Sequence, residues 1–565
     1  MRSPPCLTRC CDIGATGACA LQDDVKGHAG LDHQGILLST KAGGVTRQPP
    51  RCRLRTNLAT RFSALHGQGS SAQTPGVHSV GGFMRLISML LSAAAFAVIS
   101  ATAFAQDMDD VPPPPSTQES PDAKFIAYKQ PIIAFTHAEI VDGTGGAPEY
   151  DQTLIIQDGR IAVIGPHVAI PQDATVIDAR GKTLLPGFVM VHEHLFYTMG
   201  KGNYASMLYT FPRLYLAGGT TTARTGGSMT PYGDINLKLA IDKGDAIGPD
   251  LDVTGPYLNG PGLPILKMHV LSGPDDATKM VNYWADEGAT SFKLYTNITR
   301  GEAKAAIDAA HARGLKVTGH LCSVTYREAA NLGIDNLEHG FGVMTDFNKD
   351  KKPDICPSGS QQALANLDVN GEGVKSLIDL LIRKHVALTS TLTVFETFTP
   401  GRPEAPELAR EMLIPELRKA YEESWVRAAS NDRMKPYVTI FPKLMKLEKK
   451  FADAGGTLLA GTDPTGYGGV VPGFSGKREI ELLVEAGFSF PQALKIATLN
   501  GAHYLGRDHD IGSLAVGKRA DIVVVSGDPL KNPAAIEAMP LVFKKGVGYD
   551  SDAIFEAMKG QAGLY

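Results

Sequence analysis

The sequence predicts an α/β protein, a (β/α)8 TIM barrel with a composite β-sandwich domain formed from both flanks. Three observations point there. Between residues 187 and 507, short apolar β-rich runs alternate with helical patterns, as expected of a parallel sheet covered by helices. Strand-rich pieces broken by Gly and Asp-Gly lie on both sides of that centre, at 126–186 and 508–565. Polar residues close several of the central runs, at the strand ends where a barrel carries its chemistry.

Residues 1–83 mix Arg, Cys, Gly and Pro without sustained periodicity, whereas "MRLISMLLSAAAFAVISATAFAQDM" from Met84 has one positive residue, an apolar stretch and small residues around Phe104. That is the pattern of a secretory signal peptide over 84–105, cleaved after Ala105. A signal must open the chain to be read, so Met84 is the expected initiator and 1–83 a mis-called upstream extension. The expected location is a periplasm or the medium, with no stable membrane anchor after cleavage. Ten basic and four acidic residues precede Gln106, so the net charge of −4 becomes −10 for the remainder. No basic run is interleaved with aromatics, which argues against a nucleic-acid partner. Five of the seven cysteines also lie in that leader. Cys322 and Cys356 remain, enough for one disulfide but not for a disulfide scaffold.

Residues 106–125 are rich in Pro and acid and read as a disordered linker. Then "PIIAFTHAEIVDGTGGAPEYDQTLIIQDGRIAVIGP" gives the short strands of the first β piece, and "IGSLAVGKRADIVVVSGDPL" with "PLVFKKGVGYD" gives the second. In the centre the run ending at His192 is followed by "GTTTART", "DLDVTGPYL", "ATSFKLYT", "LKVTGHL", "DNLEHG", "VALTSTLTV" and "GTLLAGTD", with helical patterns such as "GEAKAAIDAAHARG" between several of them. The charged helical stretch from Thr399 to Lys450 reads as solvated helices, with a lid over the barrel mouth as the alternative.

The residues that close the strands carry the functional reading. His192 and His194 in "HEH" lie two apart in an extended run, so both imidazoles reach one side and Glu193 points away. Lys293 sits in an apolar strand, where a long cation is expensive unless paired or chemically changed. His320, His339 and Asp463 each end a further run. Singly these are capped strand ends. Together they would ring one barrel mouth with imidazole and carboxylate, ligands suited to divalent cations.

This set resembles the amidohydrolase superfamily of metal-dependent hydrolases, in a branch similar to imidazolonepropionase and related dipeptidases. "EAGFSFPQALKIATLNGAHYLG" and "IGSLAVGKRADIVVV" carry the likeness beyond the barrel. The resemblance implies that His192 and His194 hold the more buried of two metal ions, that Lys293 becomes a CO2-derived carbamate bridging both, and that His320 and His339 bind the second. It makes Asp463 both a ligand and the group that handles the proton. Zinc is the first expectation, with Mn2+, Co2+ and Fe2+ also suited. The implied activity is hydrolysis of a C–N bond in a dipeptide, N-acyl amino acid or cyclic amide by a metal-bridging hydroxide. Two alternatives remain: a phosphotriesterase- or lactonase-like hydrolase on the same cage, or a non-catalytic metal-binding scaffold.

Four further residues are candidates for the substrate pocket: Arg224, able to bind a carboxylate or to form a structural ion pair, and His269, Tyr197 and Tyr295. Thr225 stands where relatives often carry an acid. His137 and His311 read as structural, and Cys322 as packing. The expected partner is a small-molecule substrate, and a homo-oligomer is left open.

Overall fold

The eight central runs form parallel strands that share one direction and one polar end. They are β1 (Phe188–Glu193), β2 (Thr220–Thr225), β3 (Asp250–Asp252), β4 (Ser291–Leu294), β5 (Lys316–Gly319), β6 (Asn336–Glu338), β7 (Ala387–Ser390) and β8 (Leu458–Ala460). This computed structural model describes residues 120–200, 203–263, 265–465 and 469–564. The leader assigned from sequence to 1–105, and most of the linker, lie outside them.

β2 pairs in parallel with both β1 and β3, and β4 to β8 pair in parallel in chain order. The segment after β3 bridges to β4 at Thr254–Ser291 and Leu258–Leu294. At the other edge the N–H groups of Thr462 and Asp463, just beyond β8, both donate to the His192 carbonyl, at 3.0 and 3.1 Å. The result is a TIM-barrel-type α/β arrangement. Its strands are buried on both faces, which explains why they read as apolar runs rather than alternating ones.

Helices occupy the crossovers. Capping boxes start the two after β4 and β5: Thr299 with Glu302, and Thr325 with Glu328. The charged stretch between β7 and β8 folds as Glu407–Glu411, Pro415–Ser430 and Tyr437–Asp453. The middle helix is largely solvated and buries Leu417 and Tyr421, whereas the last buries Ile440, Phe441, Leu444, Leu447 and Phe451.

Strands from the two flanks lie in one hydrogen-bonded, nine-stranded mixed sheet. Ile522–Ser526 from the C-terminal side runs antiparallel to Lys182–Pro186, with Val524 opposite Leu184. Phe135, Leu154, Ile156, Leu184, Ile522 and Phe543 belong to the core of this sheet. All these elements fall in one compact unit.

Two tethers act on the loops at the polar end. Cys322, just after β5, is disulfide-bonded to Cys356 in the long loop after β6. Arg300 also pairs with Asp354 of that loop at 3.0 Å. The sequence left one disulfide between these two cysteines open while reading Cys322 as packing, and nothing in the residue spacing reveals that the two loops meet.

Candidate metal centre and active site

His192, the penultimate residue of β1, reaches the barrel axis because two glycines leave room for it. A Cβ on Gly226 would lie 2.4 Å from the His192 ring, and one on Gly461 would lie 2.4 Å from the His192 Cβ and 2.7 Å from its backbone nitrogen. His194 is bracketed by Tyr215, whose hydroxyl accepts from its N–H at 3.1 Å and donates to its carbonyl at 2.9 Å. Between them Glu193 turns away and accepts from the Thr462 hydroxyl. His339 and Asp463 take left-handed backbone conformations, φ 66° and 53°. Such strain is held in place where the surroundings over-determine it, and it clusters at working sites.

The six residues singled out in the sequence converge. Lys293 Nζ is 3.1 Å from His192 Nε2. Asp463 Oδ1 is 3.1 Å from His194 Nε2 and 3.5 Å from His192 Nε2, and its Oδ2 is 3.7 Å from His339 Nδ1. The ring of His339 lies 4.7 Å from that of His192 and 4.5 Å from that of His320, centroid to centroid. Ligating atoms of His192, His339 and Asp463 all lie within 4.8 Å of one another, a group able to hold a divalent ion.

The proton positions follow from the partners. His192 Nδ1 faces a Glu338 carboxylate oxygen at 2.7 Å, an atom that only accepts, so the ring proton sits on Nδ1 and Nε2 is bare. His194 Nδ1 donates to the Gly227 carbonyl at 3.3 Å, which leaves its Nε2 lone pair aimed at the Asp463 carboxylate. Burial pushes the His194 pKa down to about 4, so no second proton separates those two electron-rich atoms near neutrality. His339 Nδ1 meets the Thr391 hydroxyl, and its buried Nε2 has no hydrogen-bond partner. The bare nitrogens of His192 and His194, the unpartnered buried Nε2 of His339 and the Asp463 carboxylate together fit a cation.

Charges are tuned in the same sense. Burial takes His320 down to about 3, helped by the Lys293 charge, and Lys293 itself down to about 8. Burial would raise Glu338. The Arg224 charge and the hydrogen bond from His192 Nδ1–H instead hold Glu338 well below the carboxylate range.

Of the substrate candidates, only Tyr295 lines the recess above this cluster, with its ring 5.0 Å from that of His320. Arg224 is not there. It is fully buried and gives its donors to Glu338 at 2.6 Å, the Val191 carbonyl at 2.7 Å, and Tyr504 and Asn336 at 3.2 Å each. The carboxylate-binding role read for it gives way to the ion pair, because its partner is inside the barrel. Tyr197 packs in the core against Phe211, and half-exposed His269 binds Asp276.

Glu338 was missed. Its signal was a carboxylate inside a buried strand, one residue before a ligand candidate, with a buried arginine elsewhere to match it. The walls of the recess, among them Phe196, Tyr204, Tyr257, Val394 and Phe398, were missed as well.

Comparison with known proteins agrees with this architecture. Residues 183–547 match the family model described as the Amidohydrolase family. Curated relatives include a dihydroorotase of Mycobacterium tuberculosis, 60% identical over 42 residues that cover 7% of this chain and 10% of that protein. An imidazolonepropionase of Vibrio cholerae is 40% identical over 72 residues, 12% of this chain and 18% of the relative. The chain thus matches only a small part of the length of these relatives. Among solved structures, a prolidase candidate from Bifidobacterium longum is 26% identical with a TM-score of 0.56, over 76% of this chain and 98% of that one. A Xaa-Pro dipeptidase with bound methionine has the same fold at 20% identity and a TM-score of 0.56, over 74% of this chain and 100% of that one. The family match spans more than half of the sequence and all six converging residues, so this chain belongs to the amidohydrolase family.

Proposed function

We propose that the chain is an exported hydrolase that cleaves the amide bond of a small molecule, a dipeptide, N-acyl amino acid or cyclic amide, at a binuclear metal centre. One observation carries the reading: His194 Nε2 and Asp463 Oδ1 face each other at 3.1 Å while the Gly227 carbonyl engages His194 Nδ1. That arrangement calls for a cation between them. The names of the relatives, a dipeptidase and an imidazolonepropionase, support amide chemistry.

His192 and His194 would hold one ion, His320 and His339 the second, with Lys293 and Asp463 also ligating. Two such ions, zinc first, supply a lowered water pKa and a polarised scissile carbonyl. Lys293 contributes a neutral amine, which burial favours; it adds CO2 and loses one proton to become a carbamate. Asp463 takes the proton of the attacking water and passes it to the leaving nitrogen. Glu338 keeps His192 in one tautomer and orientation, and Arg224 keeps Glu338 charged.

The finer architecture belongs to the same proposal: a closed (β/α)8 barrel with the flanking strands curled into a composite sandwich. Export is supported by the signal-like stretch at 84–105 and by the Cys322–Cys356 disulfide, a bond that persists in oxidising compartments.

The test is hydrolysis by the zinc-loaded chain of a panel of dipeptides, N-acyl amino acids, lactones and aryl phosphotriesters, with and without chelator. Chelator-sensitive release of amine is expected. Turnover confined to lactones or phosphotriesters overturns the amide reading. Asp463→Asn is expected to keep the fold and lose turnover, and full activity in that variant removes the assigned role.

A further inference from the structure

A six-residue helix, Leu392–Thr397, begins directly after β7, and Thr391 stands at its N-cap. A threonine in that place ordinarily turns its hydroxyl oxygen to the free N–H groups of the first turn. Thr391 makes no such bond. The N–H groups of Leu392 and Thr393 donate instead to the carboxylate of Glu479, at 3.1 and 2.9 Å, which reaches them from the helix Ser475–Glu485. The cap is thus supplied by a different element, and the hydroxyl that would have made it is released.

That hydroxyl turns to the metal centre. Thr391 is fully buried, and its Oγ1 lies 3.0 Å from His339 Nδ1. Burial holds the His339 pKa well below the usual imidazole value, so the ring carries one proton. Two oxygens face Nδ1: Thr391 Oγ1 and, at 3.7 Å, Asp463 Oδ2. A proton on Nε2 would be a buried donor with no acceptor among the described residues. The proton therefore belongs on Nδ1, Thr391 accepts it, and Nε2 is left bare.

We propose that Thr391 is a positioning residue of the metal centre: it fixes the tautomer and aim of His339, and Glu479 acts through it by taking over the helix cap. The proposal rests on the metal-centre reading and deepens it, because it gives His339 an outer support as Glu338 does for His192.

The test measures the zinc affinity of the full chain by dialysis against a graded chelator. The variants are Thr391→Val, Thr391→Ser, Glu479→Gln and the combination of Thr391→Val with Glu479→Gln, each checked for folding by its metal-free melting curve. Valine keeps the shape of threonine and serine keeps only the hydroxyl, so packing and positioning give opposite orders. Thr391→Val is expected to weaken zinc binding by about tenfold or more, and Thr391→Ser to stay within about threefold of the wild type. Wild-type affinity in the valine variant overturns the proposal, as does a serine variant no better than the valine one. If the valine variant does not fold, Thr391→Ala takes its place in the comparison.

Glu479→Gln sets an amide N–H against a backbone N–H and calls the Thr391 hydroxyl back to the cap. Alone it is expected to weaken zinc binding by about threefold or more, and to add nothing once Thr391 is valine. Additive losses overturn the action of Glu479 through Thr391. A wild type that retains no zinc strikes the metal-centre reading itself, whereas a zinc-binding wild type matched by every variant strikes this proposal alone.

Discussion

Glu448 and Glu479 meet at a single hydroxyl group, that of Ser390. The Ser390 Oγ lies 2.7 Å from a Glu448 oxygen and 2.6 Å from a Glu479 oxygen, and all three residues are buried. A hydroxyl donates once, so one of these contacts needs a proton from a carboxyl group. Glu479 also accepts from the N–H groups of Leu392 and Thr393, which favours its charged form. Glu448 is therefore the acid. Burial pushes it up to about 8, and Glu479 only to about 7.

The sign of the resulting pH dependence follows. Folded Glu448 keeps its proton up to about pH 8, whereas the unfolded carboxyl releases it near 4.5. The folded state binds more protons across that window, so its stability falls as pH rises from about 4.5 to about 8. Glu448→Gln mimics the neutral acid and removes this fall. The variant is expected to melt close to the wild type at pH 5 and a few degrees above it at pH 8. Melting curves that stay parallel across this range would dispose of the buried acid.

Glu338→Gln tests the support of His192. The variant keeps the shape but removes the anion that fixes the His192 tautomer and pairs with Arg224. Loss of such an outer partner typically weakens metal binding by about 10–100-fold. Zinc content after dialysis against a graded chelator is the readout, with a lowered melting temperature from the unmatched Arg224. Zinc affinity equal to the wild type would show that Glu338 serves packing alone.

Gly461→Ala and Gly226→Ala should differ. The new methyl at 461 meets the His192 backbone, which cannot turn aside, whereas the one at 226 meets the ring. Overpacking of this kind costs about 1–3 kcal/mol. Gly461→Ala is expected to lower both stability and zinc content, and Gly226→Ala chiefly zinc content. Wild-type values for both would mean that the contact relaxes easily.

The disulfide should carry stability as well. Cys322 and Cys356 are 34 residues apart in sequence, and cross-linking a loop of that size contributes about 3–4 kcal/mol in the chain-entropy model. Replacing both by serine should lower the urea midpoint by the corresponding amount. An unchanged midpoint would place the two loops under the control of Arg300–Asp354 and their packing.

What could be read from sequence was whatever a strand period exposes. His192, His194, Lys293, His320, His339 and Asp463 stood out because each interrupts or ends an apolar run, and the structure brings these six together. Arg224 and Glu338 were visible as charges in apolar strands, yet nothing in one strand names its partner in another. Arg224 was for that reason read either as a substrate contact or as half of an ion pair whose partner had no name. Tyr257 and Phe398 gave no signal, because the segments after β3 and β7 have no period and their direction is set only when the barrel forms. The flanks announced strands from both ends, but their joining in one sheet depends on the pairing of Val524 with Leu184.

That pairing has a consequence for how the molecule comes into being. Lys182–Pro186 is ready almost as soon as the first flank is synthesised, but its neighbour Ile522–Ser526 arrives about 340 residues later. Until then an apolar strand edge stands open, the condition in which chains pair with the wrong partner. A ribosome-bound chain cannot complete this sheet, so its final assembly waits for release of the C-terminal strands. Truncations within the last fifty residues should therefore show up first as failed assembly rather than as altered chemistry.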